Sequence, residues 1–258
     1  MIRFCTLYSS SSGNCAYISD GTTSLLIDAG VSASKIANSL KSIGASPEDI
    51  DAIFITHDHG DHICGIDVLV KKFGIPIYAM ENTLKRISGG IYYNTENIVT
   101  LNTSIDIGDV HIRAFKTPHD TIESVGYTVT FGDVKLGFAT DTGCITKHML
   151  SALAGCTAVV IEANHDVNKL QSGSYPYPLK QRILSDKGHL SNDNCAWLAT
   201  QLALWGTKHI VLGHLSDSNN SPELAFDTVK SKLEENGFVV GESVFLCVAD
   251  KSSVTEIL

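Results

Sequence analysis

The chain reads as an α/β protein, with two β-sheets sandwiched between layers of helices. Two observations predict this. Strand-like and helix-like segments are interspersed along the whole length and fall into two similar halves. Metal-binding residue types are also bunched where one strand gives way to a helix. The run Thr56-His57-Asp58-His59-Gly60-Asp61-His62 follows the apolar Ala52-Ile53-Phe54-Ile55 and precedes Ile63-Cys64-Gly65-Ile66-Asp67-Val68-Leu69-Val70. The edge of a sheet where strands end is where α/β proteins form their sites. No linker, repeat or low-complexity tract interrupts the 258 residues, so a single domain over 1–258 is expected.

The elements follow from apolar spacing and turn residues. Residues 2–8 and 15–19 read as strands around the small-residue turn Ser9-Ser10-Ser11-Ser12-Gly13-Asn14, whose Ser12 and Asn14 are candidates to touch a phosphate. Ser24–Gly30 is a strand ending in a turn, where Asp28 is a candidate to cap the next helix or, by the family resemblance given below, to orient the ligand loop. Residues 32–42 are helical, with Ile36 and Leu40 four apart. The strand 52–55 feeds the ligand run, and one helix is expected over 62–73. Pro76 pushes strand 75–79 toward an edge. A short helix covers 81–88, and strands cover 98–101, 104–107, 110–116, 124–131 and 134–139, with turns at Gly108-Asp109 and Gly132-Asp133. Helix 146–153 and buried strand 157–162 come next. Residues 163–190 show the least regular pattern. Helix 192–204, strand 208–213, helix 221–236 and strands at about 238–241 and 244–248 complete the chain.

Composition narrows the function classes. The start of the chain lacks the charged segment, apolar run and cleavage site of a signal peptide. No apolar stretch reaches the roughly 20 residues of a membrane span. A cytoplasmic protein with no membrane partner is therefore expected. Seven scattered cysteines with no C-x-x-C pair fit reduced thiols rather than a disulfide framework. The formal charge of −9 argues against broad non-specific binding of nucleic acid. It says less against a nuclease, because metal cations would offset local carboxylates.

The spacing of the ligand run carries the chemistry. In an extended loop His57 and His59 point the same way and grip one ion from one side. Asp61 and His62 lie past the turn and can face a second point. Imidazole and carboxylate together suit zinc, manganese or iron.

H-x-H-x-D-H after a strand resembles the signature of the metallo-β-lactamase fold, an αββα four-layer sandwich. Later ligands of that family stand here in order, each at a strand end: His119, Asp141 and His214. The resemblance implies two divalent metal ions, His57, His59 and His119 holding the first, and Asp61, His62 and His214 the second. Asp141 would bridge them. Two ions roughly 3.5–4 Å apart can share a hydroxide, because they bring the pKa of bound water down toward neutrality. That hydroxide is the expected nucleophile.

Several further segments are similar to the YycJ/WalJ group of bacterial proteins: Ser-Ser-Gly-Asn at 11–14, Leu-Ile-Asp-Ala-Gly at 26–30, Glu-Ala-Asn-His-Asp at 162–166, Gly-His-Leu-Ser-Asn at 188–192 and His-Leu-Ser-Asp-Ser-Asn-Asn at 214–220. This likeness implies a phosphodiesterase, a 5′-to-3′ exonuclease acting on DNA, with DNA or another phosphodiester as partner. His189 resembles the histidine that related phosphodiesterases use to protonate the leaving oxygen, with Glu162 as its partner. Cleavage of a phosphodiester needs such an acid, because an alkoxide leaves poorly. Lys180, Arg182 and Lys187 are candidates to meet phosphates, and Tyr175 or Tyr177 to stack on a terminal base. The first half also resembles the ribonuclease J nucleases, but about 70 residues between Asp141 and His214 leave no room for their inserted domain. Two alternatives stand: a metallo-hydrolase of small molecules (cyclic phosphodiester, thioester or lactam) and a regulatory metal-binding protein.

Overall fold

The structure is a computed structural model that describes residues 2–88 and 97–258. It divides into two compact units. One comprises Met1–Arg113, Thr121–Glu123 and Asp250–Leu258, and the other Ala114–Asp120 and Ser124–Ala249.

The first unit carries β1 (Arg3–Ser10), β2 (Gly13–Ser19), β3 (Ser24–Ile27), α1 (Ala33–Ser42), β4 (Ala52–Phe54), α2 (Gly60–Ile63), α3 (Ile66–Phe73), β5 (Ile77–Ala79), α4 (Glu81–Ser88), β6 (Ile98–Thr100), β7 (Ser104–Ile107) and the start of β8 (Val110–Lys116). The second carries the end of β8, then β9 (Val125–Phe131), β10 (Val134–Ala139), α5 (Lys147–Leu153), β11 (Ala158–Glu162), α6 (Val167–Ser172), α7 (Tyr177–Leu184), α8 (Asn192–Leu204), β12 (His209–Gly213), α9 (Pro222–Glu235) and β13 (Phe245–Val248). The chain then returns to the first unit as β14 (Thr255–Glu256).

Both sheets are mixed, as the α/β reading requires. The first runs β14-β1-β2-β3-β4-β5-β6, antiparallel up to β3 and parallel from β3 to β6. The second runs β13-β12-β11-β10-β9-β8-β7, parallel from β13 to β10. The β9–β10 and β7–β8 pairs are antiparallel hairpin partners, turning at Gly132-Asp133 and Gly108-Asp109 as expected. Parallel strands need crossovers, and the helices supply them. Helices α1 and α3 bury Ile36, Leu40, Ile66, Leu69 and Val70 against Leu26, Ile53 and Ile77 of the first sheet. Helices α5, α8 and α9 bury Met149, Leu198, Leu202, Val229 and Leu233 against Val159, Ile161, Ile210 and Leu212 of the second.

Several local expectations change. The hairpin turn narrows to Ser11-Ser12, because Ser9, Ser10, Gly13 and Asn14 pair as strand residues. The helix expected over 62–73 breaks at Cys64-Gly65, where the Gly65 N–H bonds to the Ala29 carbonyl at 2.8 Å instead of continuing the run. Residues 163–190 hold two short helices. Asp166 caps α6 by accepting from the Lys169 N–H, and Pro178 opens α7. Each helix buries a single apolar residue, Leu170 or Ile183, too few to write a period into the sequence. Residues 238–241 form only an isolated bridge, Val240 with Val244, and β14 pairs where no strand was expected.

Ile53 lies wholly buried in the middle of the first sheet. Ile53→Ala should therefore cost about 2–5 kcal/mol. Denaturant melts should show a lower midpoint with an unchanged slope. A midpoint equal to the parent's would contradict the packing described.

Candidate metal centre

In the first unit the site residues stand at the ends of the parallel strands β3 and β4. The chain turns sharply after β3, so that Asp28 sits in the left-handed region, φ 61°. Its carboxylate is wholly buried. One oxygen accepts from the Thr56 backbone N–H at 2.8 Å, and the other from the Thr56 hydroxyl at 2.9 Å and from His62 Nδ1 at 2.7 Å. The Thr56 hydroxyl in turn accepts from His57 Nδ1 at 3.0 Å. Burial pushes the Asp28 carboxyl up, and the His62 imidazole and the Thr56 donors offset part of that. These bonds assign the proton of both imidazoles to Nδ1 and present Nε2 as the ligand nitrogen, which is how metal-binding histidines are oriented. The His57 ring centroid lies 4.6 Å from that of His59 and 4.1 Å from that of His62.

Close backbone contact fixes Asp61 and His62 in turn. Gly30 N–H donates to Asn14 O at 2.7 Å, and Ala29 N–H to His62 O at 2.8 Å. A Cβ on Gly30 would stand 1.6 Å from the Asp61 carbonyl oxygen, so only glycine fits there. The Asn14 side chain is buried, and its Nδ2 lies 3.0 Å from Ser10 O, 3.4 Å from Asp61 Oδ2 and 3.1 Å from His62 Nε2. An ion on His62 would take that lone pair, and the Asn14 amide keeps Ser10 O as its acceptor. Asp58, between the two loop histidines, pairs with Arg86 Nε of α4 at 3.0 Å and accepts from the Thr121 hydroxyl. Burial opposes its charge, but those two donors hold its carboxyl below the usual range.

The second unit repeats the arrangement with a glutamate. Glu162 closes β11 and is wholly buried. Its Oε1 accepts from His189 Nδ1 at 2.7 Å and from His214 Nδ1 at 2.8 Å. Its Oε2 accepts from the backbone N–H groups of Thr142 and Leu190, at 2.9 and 3.2 Å. Burial alone would raise this carboxyl. The charge and hydrogen bonds of His189 and His214 outweigh burial and hold it well below the usual carboxylate range. Burial likewise opposes a charged His189, yet the charge and hydrogen bond of Glu162, with Asp141, raise its pKa above the ordinary histidine value. His119 donates from Nδ1 to Gly188 O at 3.1 Å. Asp141 Oδ1 lies 3.7 Å from His119 Nε2 and 3.5 Å from His214 Nε2. Asp141, Glu162, His189 and His214 each offer a ligand atom within 4.8 Å of the others.

The donor set fits divalent metal ions. Four of the five expected ligand imidazoles, His57, His62, His119 and His214, are tethered through Nδ1, and each unit adds a carboxylate, Asp61 in one and Asp141 in the other, a mixture that suits zinc, manganese or iron. Within each unit the structure brings the expected ligands together: His57, His59, Asp61 and His62 in one, and His119, Asp141 and His214 in the other, where His189 and Glu162 also meet. The residues expected to touch substrate are placed less uniformly. Ser12 is exposed in its turn. Lys180 Nζ donates to the carbonyls of Gln171 and Gly173, both at 2.7 Å, and closes the end of α6. Arg182 pairs through Nε with Asp120, next to His119. Thr56, Arg86 and Thr121 had no role in the sequence reading. Their contacts depend on neighbours brought close by the fold, and no spacing announces them.

A family model described as a beta-lactamase superfamily domain matches residues 23–215. The chain belongs to the β-lactamase superfamily. It is 37% identical over 259 aligned residues to exodeoxyribonuclease YycJ of Bacillus anthracis, covering 99% of this chain and 98% of that protein. It is 40% identical to exodeoxyribonuclease WalJ of Streptococcus pneumoniae, covering 93% and 91%. The metallo-β-lactamase fold protein YhfI of Bacillus subtilis matches with a TM-score of 0.74 over 99% of this chain and 98% of its own, at 18% identity, and so shares the fold. The protein is a metal-dependent hydrolase of this superfamily. Among the described residues no helix is long and apolar enough to cross a membrane.

Asp28→Asn should test the tether. Asparagine keeps the shape and tolerates a left-handed backbone. Its amide, however, would donate to His62 Nδ1 and drive the ring proton onto Nε2. Divalent-ion affinity, read by chelator competition, should fall roughly 10–100-fold. Parental affinity in this variant would refute the tether. Chelation of the parent should lower its melting temperature, by an amount that scales with the stabilisation of about 2.7 kcal/mol expected at 100 times Kd. Adding manganese or zinc back should restore it.

Proposed function

We propose that this hydrolase is a phosphodiesterase that degrades DNA from its 5′ end, with two divalent ions held by His57, His59, Asp61, His62, His119, Asp141 and His214. On this reading the chain is a single domain. The relatives named above support a nucleic-acid substrate, because the alignments span over nine-tenths of both chains at 37 and 40% identity. The ions, when bound, would supply Lewis acidity and bring hydroxide within reach at neutral pH.

The observation that carries the mechanism is the His189–Glu162 pair. His189 has 18% of its side chain exposed, whereas Glu162 has none. The carboxylate fixes the ring through Nδ1 and favours its charged form, so Nε2 carries a proton toward solvent. That proton goes to the leaving oxygen of the diester, which would otherwise depart as a poor alkoxide. Water at the exposed edge then reprotonates the ring. His189 is the general acid, Glu162 its positioning residue, and Asp61 and Asp141 the carboxylates that share charge with the ions. On the substrate side, exposed Ser12 and half-exposed Arg182 are the candidates for phosphate. Tyr177, 72% exposed at the start of α7, is the candidate platform for a terminal base.

Purified protein with manganese should release mononucleotides from a 5′-labelled duplex. His189→Ala should lower kcat by roughly 10²–10⁴-fold with little change in KM and intact ion binding. Asp61→Asn should abolish cleavage while the protein stays folded. An untouched duplex beside rapid turnover of a small cyclic diester would move the substrate to the small-molecule class. Full activity in the Asp61 variant would dismiss the mechanism.

A further inference from the structure

The asparagines of the three downstream motifs serve neither as expected ligands nor as acids, yet they are buried together. Asn164, Asn192, Asn219 and Asn220 are each 6% exposed or less. Asn192 and Asn220 exchange reciprocal amide bonds of 3.0 and 2.8 Å, and Asn220 Nδ2 also reaches Ala163 O at 2.8 Å. A buried carboxamide is costly unless bonded, so this network was built for some purpose.

Asn164 differs from the others in what it holds. Its Nδ2 donates to the His214 carbonyl at 2.9 Å. Its own carbonyl accepts from Ser216 N–H at 2.8 Å, and its N–H donates to Leu190 O at 2.9 Å, one residue beyond His189. His214 needs such support, because its φ of 56° is a conformation that residues with a side chain rarely adopt. Glu162 and Asn164 stand two residues apart at the end of β11. The first takes the His214 ring, and the second holds the backbone that follows, at the His214 carbonyl and the Ser216 N–H.

We propose that Asn164 is a positioning residue for His214, holding its left-handed backbone so that Nε2 is presented to a divalent ion. This rests on the metal-dependent reading above. The geometry supports it over general packing, because the side-chain bond goes to the His214 carbonyl itself, while the Asn164 backbone ties Leu190, next to His189, and Ser216 into the same turn. Asn192→Ala is the comparison, since it opens the neighbouring amide pair without touching His214.

The measurements are ion affinity by chelator competition, melting of the metal-stripped protein, and kcat and KM on labelled duplex. Asn164→Ala should weaken ion binding roughly 10–100-fold and lower kcat, leaving KM near the parent's. Asn192→Ala should shift melting alone. Parental affinity in Asn164→Ala overturns the proposal. So does an equal loss in both variants that tracks their melting. Should Asn164→Ala not fold, Asn164→Leu, of similar size and lacking the donor, is read in its place. Failure of both to fold assigns the residue to the fold and also overturns the proposal. A parent that binds no ion removes the metal-dependent reading itself, and this inference with it.

Discussion

Two wholly buried carboxylates govern the site, one in each unit. Asp28 ends β3 and Glu162 ends β11, and each is surrounded by donors rather than by bulk water. Removing a carboxylate from water costs several kcal/mol before compensation. Thr56 and His62 offset part of this at Asp28, and two imidazoles with two backbone N–H groups outweigh it at Glu162. An imidazole that donates from Nδ1 to such a group has lost its freedom of tautomer and of rotation. Its other nitrogen is aimed before any ion arrives. The ordering cost of assembling ligands is therefore met by folding, and binding is correspondingly tighter.

Backbone strain marks the same places. Among the described residues, those with a side chain and positive φ are Asp28, Asp141 and His214. Each follows closely on a parallel strand. A strand that ends at a site must turn at once, or its next side chain would continue along the sheet. The left-handed turn achieves this at a cost of order 1–3 kcal/mol each. Such conformations persist only where neighbours over-determine them, and hydrogen bonds to Asp28 and from Asn164 supply that here. Strain and donor geometry are thus two aspects of one design: the residues that could least afford freedom are those the fold bends hardest.

This pattern explains what could be read from the sequence. The run at 57–62 stands out because histidines and aspartates are bunched at the end of an apolar strand, and the family resemblance picks out the three later candidates, His119, Asp141 and His214, each close after a strand. Helix α8 was legible to the residue, since Ser191 caps it and its apolar positions persist over thirteen residues. Helices α6 and α7 were not, because one buried residue each leaves no period. Asp28 stayed ambiguous between a cap and a tether. Its partners Thr56 and His62 lie 28 and 34 residues away, and only strand pairing brings them near. Lys180 and Arg182 looked like free cations for the converse reason: a sequence displays charge but not the carbonyl or carboxylate that occupies it. Asn14 looked like a turn residue until the strands extended to enclose it.

Charge near the ligands shows a matching economy. Two aspartates flank expected ligands directly, Asp58 between His57 and His59, and Asp120 after His119. Left alone, each would compete for an ion meant for its neighbour and repel an anionic substrate. Each is instead paired with an arginine from a helix of its own unit, Arg86 of α4 and Arg182 of α7. Both arginines are more than half exposed, so the pairs contribute about 0–1 kcal/mol to stability. Their effect is positional and electrostatic: a local carboxylate is neutralised, and the outer face of the guanidinium is turned toward solvent. A chain with a formal charge of −9 has no long-range field to draw in a phosphodiester. Attraction must then be local, arising from ions whose charge the nearby carboxylates do not cancel, and the two arginines preserve that surplus.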